Sequence, residues 1–301
     1  MNKYLRLLLD REFRFSVLTA RGFYKSMPDE EFLRRKYRIV FGKELELIHP
    51  RTFNEKLQWL KLHDRNPLYT TLVDKYAVRR YIADKLGEDY LVPLVGGPWD
   101  HVEDIDFDAL PRQFVLKCTH DSGGVIVVKD KQRLNRAETM AKLRKRLKRN
   151  YYYGNREWPY KDVKPRIIAE KYLEDESGEL RDFKYYCFKG KPRFMLITTD
   201  RASKDKPTCY TYFDMDFNML PFYWSGPHSD SELTKPKNFE IMAKIAADLS
   251  QGLTHVRADM YDVGGKIYFG EMTLYAGSGF AAFDPPEWDE ILGRWIELPG
   301  L

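Results

Sequence analysis

The pattern near the carboxyl terminus constrains the fold of this chain most, because it predicts a β-hairpin. Residues 254–261 alternate between apolar and polar side chains and are rich in strand-forming residues. Residues 262–265 end in two glycines and supply a turn, and residues 266–269 return as a second strand. An ordinary hairpin on a protein surface has the same pattern, so its polar side chains decide whether it carries chemistry.

Polar side chains on the two predicted strands are spaced to form a site. Arg257 and Asp259 share one face of the first strand, and Glu271 and Thr273 share one face of the second. An acid on each strand can therefore meet the other across the pair. Two carboxylates in a half-buried sheet repel each other unless one is protonated or a cation lies between them. Such oxygen ligands suit Mg²⁺ bound to nucleotide phosphates; the alternative is a hairpin whose acids point to solvent.

Composition places the chain among soluble globular proteins. Of its 301 residues, 43% are hydrophobic and 32% are charged, and no apolar run approaches the roughly 20 residues of a membrane span. Asp10, Arg11 and Glu12 interrupt the apolar amino terminus before it forms a signal-peptide core. The 3 cysteines lack metal-ligand spacing and agree with a reducing compartment. We therefore expect a cytoplasmic protein, and the inner face of the membrane is the other location considered.

The net charge of +5 is modest, so the distribution of charge matters more than its sum. Basic residues crowd a predicted helical segment from Lys142 to Arg149, which we call the basic run; Leu143 and Leu147 can dock it onto a core. The run is either a solvated helix face or a surface for an acidic glycan, a lipid headgroup or a nucleic acid. No zinc-finger or RNA-recognition signature accompanies it, so nucleic acid is the least supported partner.

The chain divides into three predicted regions. Residues 1–98 are mostly helical, and a Gly-Gly-Pro sequence ends them. Residues 99–168 contain a strand, a glycine-bearing turn, a second strand and a helix, and residues 169–301 hold further strands, a helix and the hairpin. The amino-terminal helices are candidates for binding substrate, for dimerisation or for contact with a membrane. The apolar residues considered for contact with a membrane are Leu5, Leu8, Leu9 and Phe13.

The predicted strand, turn and strand at 114–128 form a second candidate site. Lys117 lies in an otherwise apolar strand, where burial of an ammonium group is costly unless an anion meets it. Ser122 precedes Gly123 and Gly124, and glycines let backbone N–H groups approach a phosphate without a Cβ in the way. A simple hairpin turn whose lysine reaches solvent gives the same pattern.

A third candidate segment is the apolar strand that runs into Glu170, Lys171 and Leu173. The exposed end of such a strand can offer backbone N–H and C=O groups to an adenine ring, with apolar packing on both faces of the ring. A strand end with exposed charges is the alternative interpretation.

In this order, six segments resemble the ATP-grasp superfamily, and more closely its TupA-like branch, named for teichuronopeptide biosynthesis. The segments are TFNEKLQW at 52–59, DKY at 74–76, FVLK at 114–117, RIIAEKYL at 166–173, DFK at 182–184 and YFGEMT at 268–273. The resemblance covers about residues 50–280. It implies an α+β fold, the ATP-grasp fold, in which two α+β lobes clasp ATP; a mostly helical amino-terminal region precedes them here.

The resemblance also implies a nucleotide site. Lys75 and Lys117 look like the two lysines that ATP-grasp enzymes direct at the nucleotide phosphates. Ser122, Gly123 and Gly124 look like the loop that covers those phosphates. The further nucleotide-binding candidates are Glu170, Lys171 and Leu173 in a hinge for adenine, Asp182 or Glu174 near the ribose, and Lys184.

The hairpin and the segment after it resemble the catalytic end of the family. Asp259 and Glu271 look like magnesium carboxylates, and Arg257 looks like the arginine that stabilises the transferred phosphoryl group and the oxyanion. The segment from Gly277 to Gly279 resembles the backbone that lines the acyl-acceptor site. Many ATP-grasp enzymes have asparagine where this chain has Thr273, a poorer metal ligand. The TupA-like pattern shares this threonine, and the number of metal ions stays open.

The function that the resemblance implies is an ATP-dependent carboxylate–amine ligase of cell-surface polysaccharide assembly. ATP and Mg²⁺ would activate a carboxylate as an acylphosphate, and an amine co-substrate would displace the phosphate. We expect an acidic small-molecule or glycan acceptor, with membrane or glycosyltransferase association as a further hypothesis. A phosphotransferase of the same fold and a non-catalytic glycan-binding scaffold are the alternatives.

Overall fold

The computed structural model describes Arg6, residues 8–175, Gly178, and residues 180–201 and 205–300. Leu5, one of the residues considered for membrane contact, lies outside this part of the chain. The α-helices with defined bounds are α1 (Arg11–Ala20), α2 (Asp29–Phe41), α3 (Phe53–His63), α4 (Leu68–Val73), α5 (Val78–Leu86), α6 (Arg136–Leu147), α7 (Tyr152–Asn155), α8 (Phe239–Ser250) and α9 (Glu287–Trp295).

The strands form separate antiparallel sheets. The strands are β1 (Leu94–Trp99), β2 (Phe114–Cys118), β3 (Val125–Val128), β4 (Ile167–Lys171), β5 (Asp182–Phe188), β6 (Lys191–Thr199), β7 (Cys209–Asp214), β8 (Tyr223–Trp224), β9 (His255–Val263), β10 (Lys266–Thr273) and β11 (Phe283–Asp284). A four-stranded sheet has the order β1-β4-β2-β3, a five-stranded sheet has the order β10-β9-β5-β6-β7, and β8 pairs with β11. The predicted α+β class is confirmed. The four-stranded sheet begins before residue 99 and ends after residue 168, so it extends beyond both predicted boundaries of the central region.

Local sequence explains where helix α3 begins. The Thr52 hydroxyl accepts a hydrogen bond from the Glu55 N–H at 3.2 Å, and the Glu55 carboxylate accepts one from the Thr52 N–H at 3.1 Å. This reciprocal cap satisfies two N–H groups that the first turn leaves free. It fixes α3 at the residue where the motif at 52–59 begins.

Each large sheet has its own helix and its own core. Leu143 of α6 is fully buried beside Leu116 of the four-stranded sheet. Met242 of α8 is fully buried against the five-stranded sheet, in a core that also takes in Leu57 of α3. The amino-terminal helices therefore share the core of the sheet that carries the hairpin.

The basic run differs in part from the sequence prediction, whereas the membrane contact considered for the amino-terminal end stays a prediction. Leu8 and Leu9 of the amino-terminal end are exposed, and in the described part of the chain no helix has the length and apolar content to cross a membrane. Helix α6 ends at Leu147, because Lys148 caps it, so Lys148 and Arg149 lie beyond the helix that was predicted to contain them.

His255, the first residue of β9, is buried between the rings of Phe53 and Phe188. Burial lowers its pKa to about 3 from an ordinary value of 6.5, so the imidazole is neutral in the folded protein. The unfolded chain takes up a proton below its ordinary pKa, and this favours unfolding. Stability from His255 is therefore present above pH 6.5 and is lost as the pH falls toward 3. We expect His255 to reduce the free energy of unfolding by about 2 kcal/mol between pH 7 and pH 5.

Urea denaturation of the wild type and of His255→Phe at both pH values tests this expectation. The phenylalanine variant cannot titrate at this position, so its stability should depend less on pH by that amount. The same pH dependence in both proteins would contradict it.

Candidate active site

The predicted hairpin is formed by β9 and β10, in the register that the site requires. Asp259 pairs with Glu271, and Arg257 pairs with Thr273. The register shifts between Phe269 and Glu271, where a Cβ on Gly270 would lie 3.0 Å from the Asp259 carbonyl oxygen. The bulge at this glycine brings the two acids opposite each other.

Asp259 is almost completely buried, and two cations share its carboxylate. Arg257 donates from Nε to Asp259 Oδ1 at 2.6 Å and from Nη2 to Oδ2 at 2.7 Å. Lys184, which lies opposite Asp259 in strand β5, donates to Oδ2 at 2.6 Å. Burial favours the neutral acid, but Arg257 and Lys184 outweigh it and lower the pKa of Asp259. The carboxylate is therefore ionised and held by a two-pronged guanidinium contact.

Arg257 also lies between the two acids of the hairpin. Its Nη2 is 3.2 Å from Glu271 Oε1 as well as 2.7 Å from Asp259 Oδ2. Burial disfavours its charge, yet the pKa of Arg257 is raised well above its usual value, mainly by Asp259. Arg257 is thus the cation that the two opposed carboxylates need, and the protein itself supplies it.

The ion pairs continue across the sheet from Asp259. Lys184 Nζ is 3.2 Å from Asp182 Oδ2, and Arg201 pairs with the same Asp182 carboxylate. We call this series, from Arg201 through Asp182, Lys184, Asp259 and Arg257 to Glu271, the charge row. Asp182 is 1% exposed and Glu174 is exposed, so the two ribose candidates differ in access.

The donors of the hairpin fit Mg²⁺ carried by nucleotide phosphates. Mg²⁺ is commonly held in proteins by one or two carboxylates, with phosphates completing its shell. The Glu271 side chain is 42% exposed, and it lies opposite Asp259. Thr273 lies two residues after Glu271 on the same strand, opposite Arg257. No group of three His, Cys, Asp or Glu residues with ligand geometry occurs among the described residues, so the protein would supply part of the shell.

The predicted phosphate-covering loop connects β2 and β3. Ser122 and Gly123 are exposed, and Gly123 has a φ of +75°, which favours glycine. A Cβ on Gly124 would lie 2.3 Å from the Asp121 carboxylate. Lys75 Nζ donates to the Asp121 carbonyl oxygen, which places the first predicted lysine against this loop.

The second predicted lysine, Lys117, meets a carboxylate of the neighbouring strand. It forms an ion pair with Glu170 of β4, and Arg79 Nη1 lies 3.5 Å from the same carboxylate. Glu170 is 7% exposed. The cost of burying the Lys117 ammonium is therefore offset within the protein, and Glu170 acts here through its side chain rather than its backbone alone.

The segment after β4 ends beside an apolar cluster. Leu173 packs with Val92 and Tyr268, which belong to different parts of the chain. Lys171 is exposed, and its N–H donates to the Pro93 carbonyl oxygen at 2.9 Å. Tyr268 brings the hairpin strand β10 to this cluster, and the adenine hinge stays a prediction.

The Gly-Ser-Gly loop, Gly277 to Gly279, follows the hairpin in a left-handed conformation, with φ between 54° and 62°. A Cβ on Gly279 would lie 2.9 Å from the Leu57 Cβ, and its φ of +62° favours glycine, so any other residue would be strained here. Gln58 Nε2 donates to the Gly279 carbonyl oxygen at 2.6 Å, and Lys61 Nζ donates to the Ser278 carbonyl oxygen at 2.7 Å. Helix α3 therefore holds the loop in place.

Two buried groups of opposite charge, Lys61 and Glu157, lie beneath the Gly-Ser-Gly loop, and the sequence did not indicate them. The Ser278 hydroxyl donates to Glu157 at 2.5 Å and accepts from Asn155 Nδ2 at 2.8 Å. Burial raises the pKa of Glu157 and lowers that of Lys61, and the charge of each group opposes the shift of the other. The sequence links Lys61 and Glu157 to a motif in one way: Lys61 lies one helical turn after Gln58, which belongs to the motif at 52–59.

The model of the TupA-like ATPgrasp family matches residues 55–297. The chain belongs to the TupA-like ATP-grasp family. The match begins in α3 and ends after α9, so it takes in both large sheets and the Gly-Ser-Gly loop. The resemblance and the fold predicted from the sequence are both confirmed. Among proteins of curated function, none matches the chain.

Solved structures that resemble this TupA-like ATP-grasp protein include ligases. The D-alanine–D-alanine ligase from Bacillus anthracis complexed with ATP is 17% identical, with a TM-score of 0.41 over 68% of this chain and 55% of that one. The D-alanine–D-alanine ligase from Helicobacter pylori is 13% identical, with a TM-score of 0.45 over 82% of this chain and 69% of that one. The ATP-grasp ligase PsnB, complexed with minimal precursor, Mg and ADP, is 12% identical, with a TM-score of 0.38 over 85% and 65%. The chain thus spans about half of the first of these structures.

Proposed function

We propose that this protein is an ATP-dependent ligase that joins an amine to a carboxylate through an acylphosphate. The observation that carries the proposal is Arg257, held by Asp259 with its Nη2 3.2 Å from the half-exposed Glu271. A fixed guanidinium beside an accessible carboxylate can stabilise a phosphoryl group whose charge increases in the transition state. Membership of the TupA-like family supports the use of ATP.

The first step would require neutralisation of two anions, the attacking carboxylate and the terminal phosphate. Lys75 lies against the glycine-bearing loop, and Lys117 lies in the strand that leads into it. With Arg257, they would supply positive charge along the phosphates. Mg²⁺, held by Asp259 and Glu271 with Thr273 beside them, would neutralise phosphate oxygens when bound.

The two proposed steps form an acylphosphate and then join the amine to it. In the first step, the acceptor carboxylate oxygen bonds to the γ-phosphorus as the bond from that phosphorus to the ADP oxygen breaks, which gives an acylphosphate and ADP. The amine nitrogen then attacks the acyl carbon, phosphate leaves with the C–O bonding electrons, and the nitrogen loses a proton. The Gly-Ser-Gly loop, in which Gly277 is exposed and Gly279 is held against α3, would line the acyl group.

We assign the reaction to cell-surface polysaccharide assembly in the cytoplasm, with a sugar acid as the carboxylate. The TupA-like family, named for teichuronopeptide biosynthesis, supports this assignment. Association with the inner face of the membrane or with a glycosyltransferase is part of the same proposal. Exposed Leu8 and Leu9 support the membrane contact.

Trapping with hydroxylamine tests the chemistry directly. With Mg²⁺, ATP, galacturonic acid oligomers and hydroxylamine, we expect ADP and phosphate to appear together with a hydroxamate, because hydroxylamine attacks the acylphosphate in place of the natural amine. ATP with Mg²⁺ at 100 times its Kd should also stabilise the fold by about 2.7 kcal/mol.

Each alternative chemistry gives a different product. A phosphotransferase leaves phosphate on the acceptor and forms no hydroxamate, and AMP as the nucleotide product contradicts both versions. A scaffold without catalysis gives no ADP. Absence of stabilisation by Mg²⁺ and ATP in denaturation experiments would contradict nucleotide binding itself.

A further inference from the structure

A strongly basic cavity of about 370 Å³ opens beside Ser122 of the glycine-bearing loop. Its walls come from α1, α2, the end of the basic run and α7. The charged residues that line it are Lys25, Lys36, Asp121, Arg146, Lys148 and Arg149. Five of these six side chains are cationic. A larger cavity of about 540 Å³ between α1 and α2 shares Phe15 with this one but includes no residue of the nucleotide site.

Ion pairing divides the basic run into two sets. Lys142 pairs with Glu138, Arg144 with Glu103, and Arg146 with Asp121, at distances of 2.6 to 2.8 Å. The pair with Arg146 also neutralises the single carboxylate of the basic cavity. Lys148 and Arg149 form no ion pair within the described chain, and both line the cavity. Of the cations of the run without an ion pair in the described chain, Lys148 and Arg149 thus face the cavity, whereas Lys145 lies outside it.

Lys36 is the most enclosed cation of the basic cavity. Its ammonium contacts the Asn155 side-chain oxygen and lies 4.6 Å from the centre of the Phe280 ring. Burial lowers its pKa to about 8, and Glu157 and Glu12 oppose this shift from beyond ion-pair distance. Among the described residues no carboxylate forms an ion pair with it. A partly buried ammonium with only a neutral partner and a ring favours an anion in the cavity.

The position of the basic cavity connects it with both ends of the proposed reaction. Tyr151 lines the cavity together with Ser122. Burial and the charge of Glu157 raise the pKa of Tyr151, and hydrogen bonding to Ser122 and Ser278 opposes the increase. Tyr151 therefore lies between the loop predicted to cover the phosphates and the Gly-Ser-Gly loop. An anion in the cavity would lie next to the place where a carboxylate must meet ATP.

We propose that the basic cavity binds the acidic acceptor, a glycan that carries several carboxylates, through Lys36, Lys148 and Arg149. This inference rests on the proposed function, since it places the carboxylate substrate of that reaction. One carboxylate of the glycan would react beside Ser122, and its neighbours would pair with the cavity cations. The cavity disfavours an amine co-substrate in its ammonium form, so the amine binds elsewhere.

Calorimetric titration without nucleotide tests the inference, with a tetramer of galacturonic acid as the probe. Its fully methyl-esterified form is the matched control ligand, because it keeps the sugar and removes the charge. We expect the acid to bind and the ester to bind at least tenfold more weakly. Arg149→Glu should weaken binding of the acid by about tenfold. Lys36→Met, which keeps the volume and removes the charge, should weaken it by at least as much.

Lys145→Glu is the matched control variant. Lys145 is exposed on α6, outside the lining of the cavity, and its replacement changes the net charge as Arg149→Glu does. We expect its Kd for the tetramer to stay within about twofold of the wild-type value. Equal losses in Lys145→Glu and Arg149→Glu, or equal binding of acid and ester, would overturn the inference.

Nucleotide binding is measured on the same samples, so that the two proposals can fail separately. A protein that is stabilised by Mg²⁺ and ATP but does not bind the tetramer leaves the ligase proposal standing and overturns the assignment of the cavity. Tetramer binding that depends on Arg149, without stabilisation by nucleotide, supports the cavity and contradicts the ligase. If the protein sediments with anionic lipid vesicles through Arg149 and the tetramer does not compete, the cavity binds a membrane. That result would overturn the inference.

Discussion

Arg257→Ala is expected to lower kcat/KM for ATP-dependent hydroxamate formation by about 10³-fold. Removal of one donor for a developing anion typically costs 10² to 10³, and an arginine on a transferring phosphoryl group contributes about 10³ or more. Arg257 can supply two donors to one anion, because its guanidinium is planar and already oriented by Asp259. ADP release and hydroxamate yield, measured together, should decrease by the same factor.

Arg257→Lys provides the matched control for charge. Lysine keeps the positive charge and loses the fork, so a large loss in this variant shows that geometry is needed as well as charge. Urea denaturation of both variants separates catalysis from folding. Hydroxamate formation near the wild-type rate in folded Arg257→Ala would show that the arginine only neutralises Asp259.

Asp259→Asn is expected to abolish turnover and to lower the free energy of unfolding by about 3 kcal/mol. The carboxylate is 1% exposed and pairs with Arg257 and Lys184, so an amide leaves both buried cations without their counter-ion. Glu271→Gln should abolish turnover but change stability little, because the Glu271 side chain is 42% exposed. From the hairpin alone, both amide substitutions would be expected to leave the fold intact. The buried ion pairs change that expectation for Asp259.

Urea denaturation of the two variants and of Asp259→Asn with Lys184→Met tests this difference. Removal of the Lys184 charge should restore part of the stability that Asp259→Asn loses, because one unpaired cation is removed with it. Equal stability of Asp259→Asn and the wild type would show that the buried pairs contribute nothing net. Normal turnover by either amide variant would make the hairpin acids structural.

Elements that depend on short-range patterns could be predicted from the sequence. The turn at Gly264 and Gly265 and the alternation along β9 predicted the hairpin that carries Asp259 and Glu271, and the structure has that hairpin. The turn alone would place Asp259 opposite Gly270, and the bulge at Gly270 is what places Glu271 there. The glycine-bearing turn between β2 and β3 was equally clear, because a hairpin depends on a few adjacent residues. The cap of α3 is likewise a local signal.

Partners of buried charges could not be predicted, because they come from strands and helices far away in sequence. Lys117 was expected to need an anion, and its partner in the folded chain is Glu170, which was assigned to the adenine hinge. Lys184 pairs with Asp259 across β5 and β9, and no local pattern specifies which of the many carboxylates faces it.

The contact between Gln58 and Gly279 joins positions 221 residues apart. Because the chain is synthesised from its amino terminus, helix α3 leaves the ribosome long before the Gly-Ser-Gly loop exists. The hairpin, the loop and the helix that holds them can come together only when almost the whole chain has been made. A nascent or prematurely terminated chain therefore lacks the contacts that hold the Gly-Ser-Gly loop, and under the proposed mechanism it would not complete the reaction.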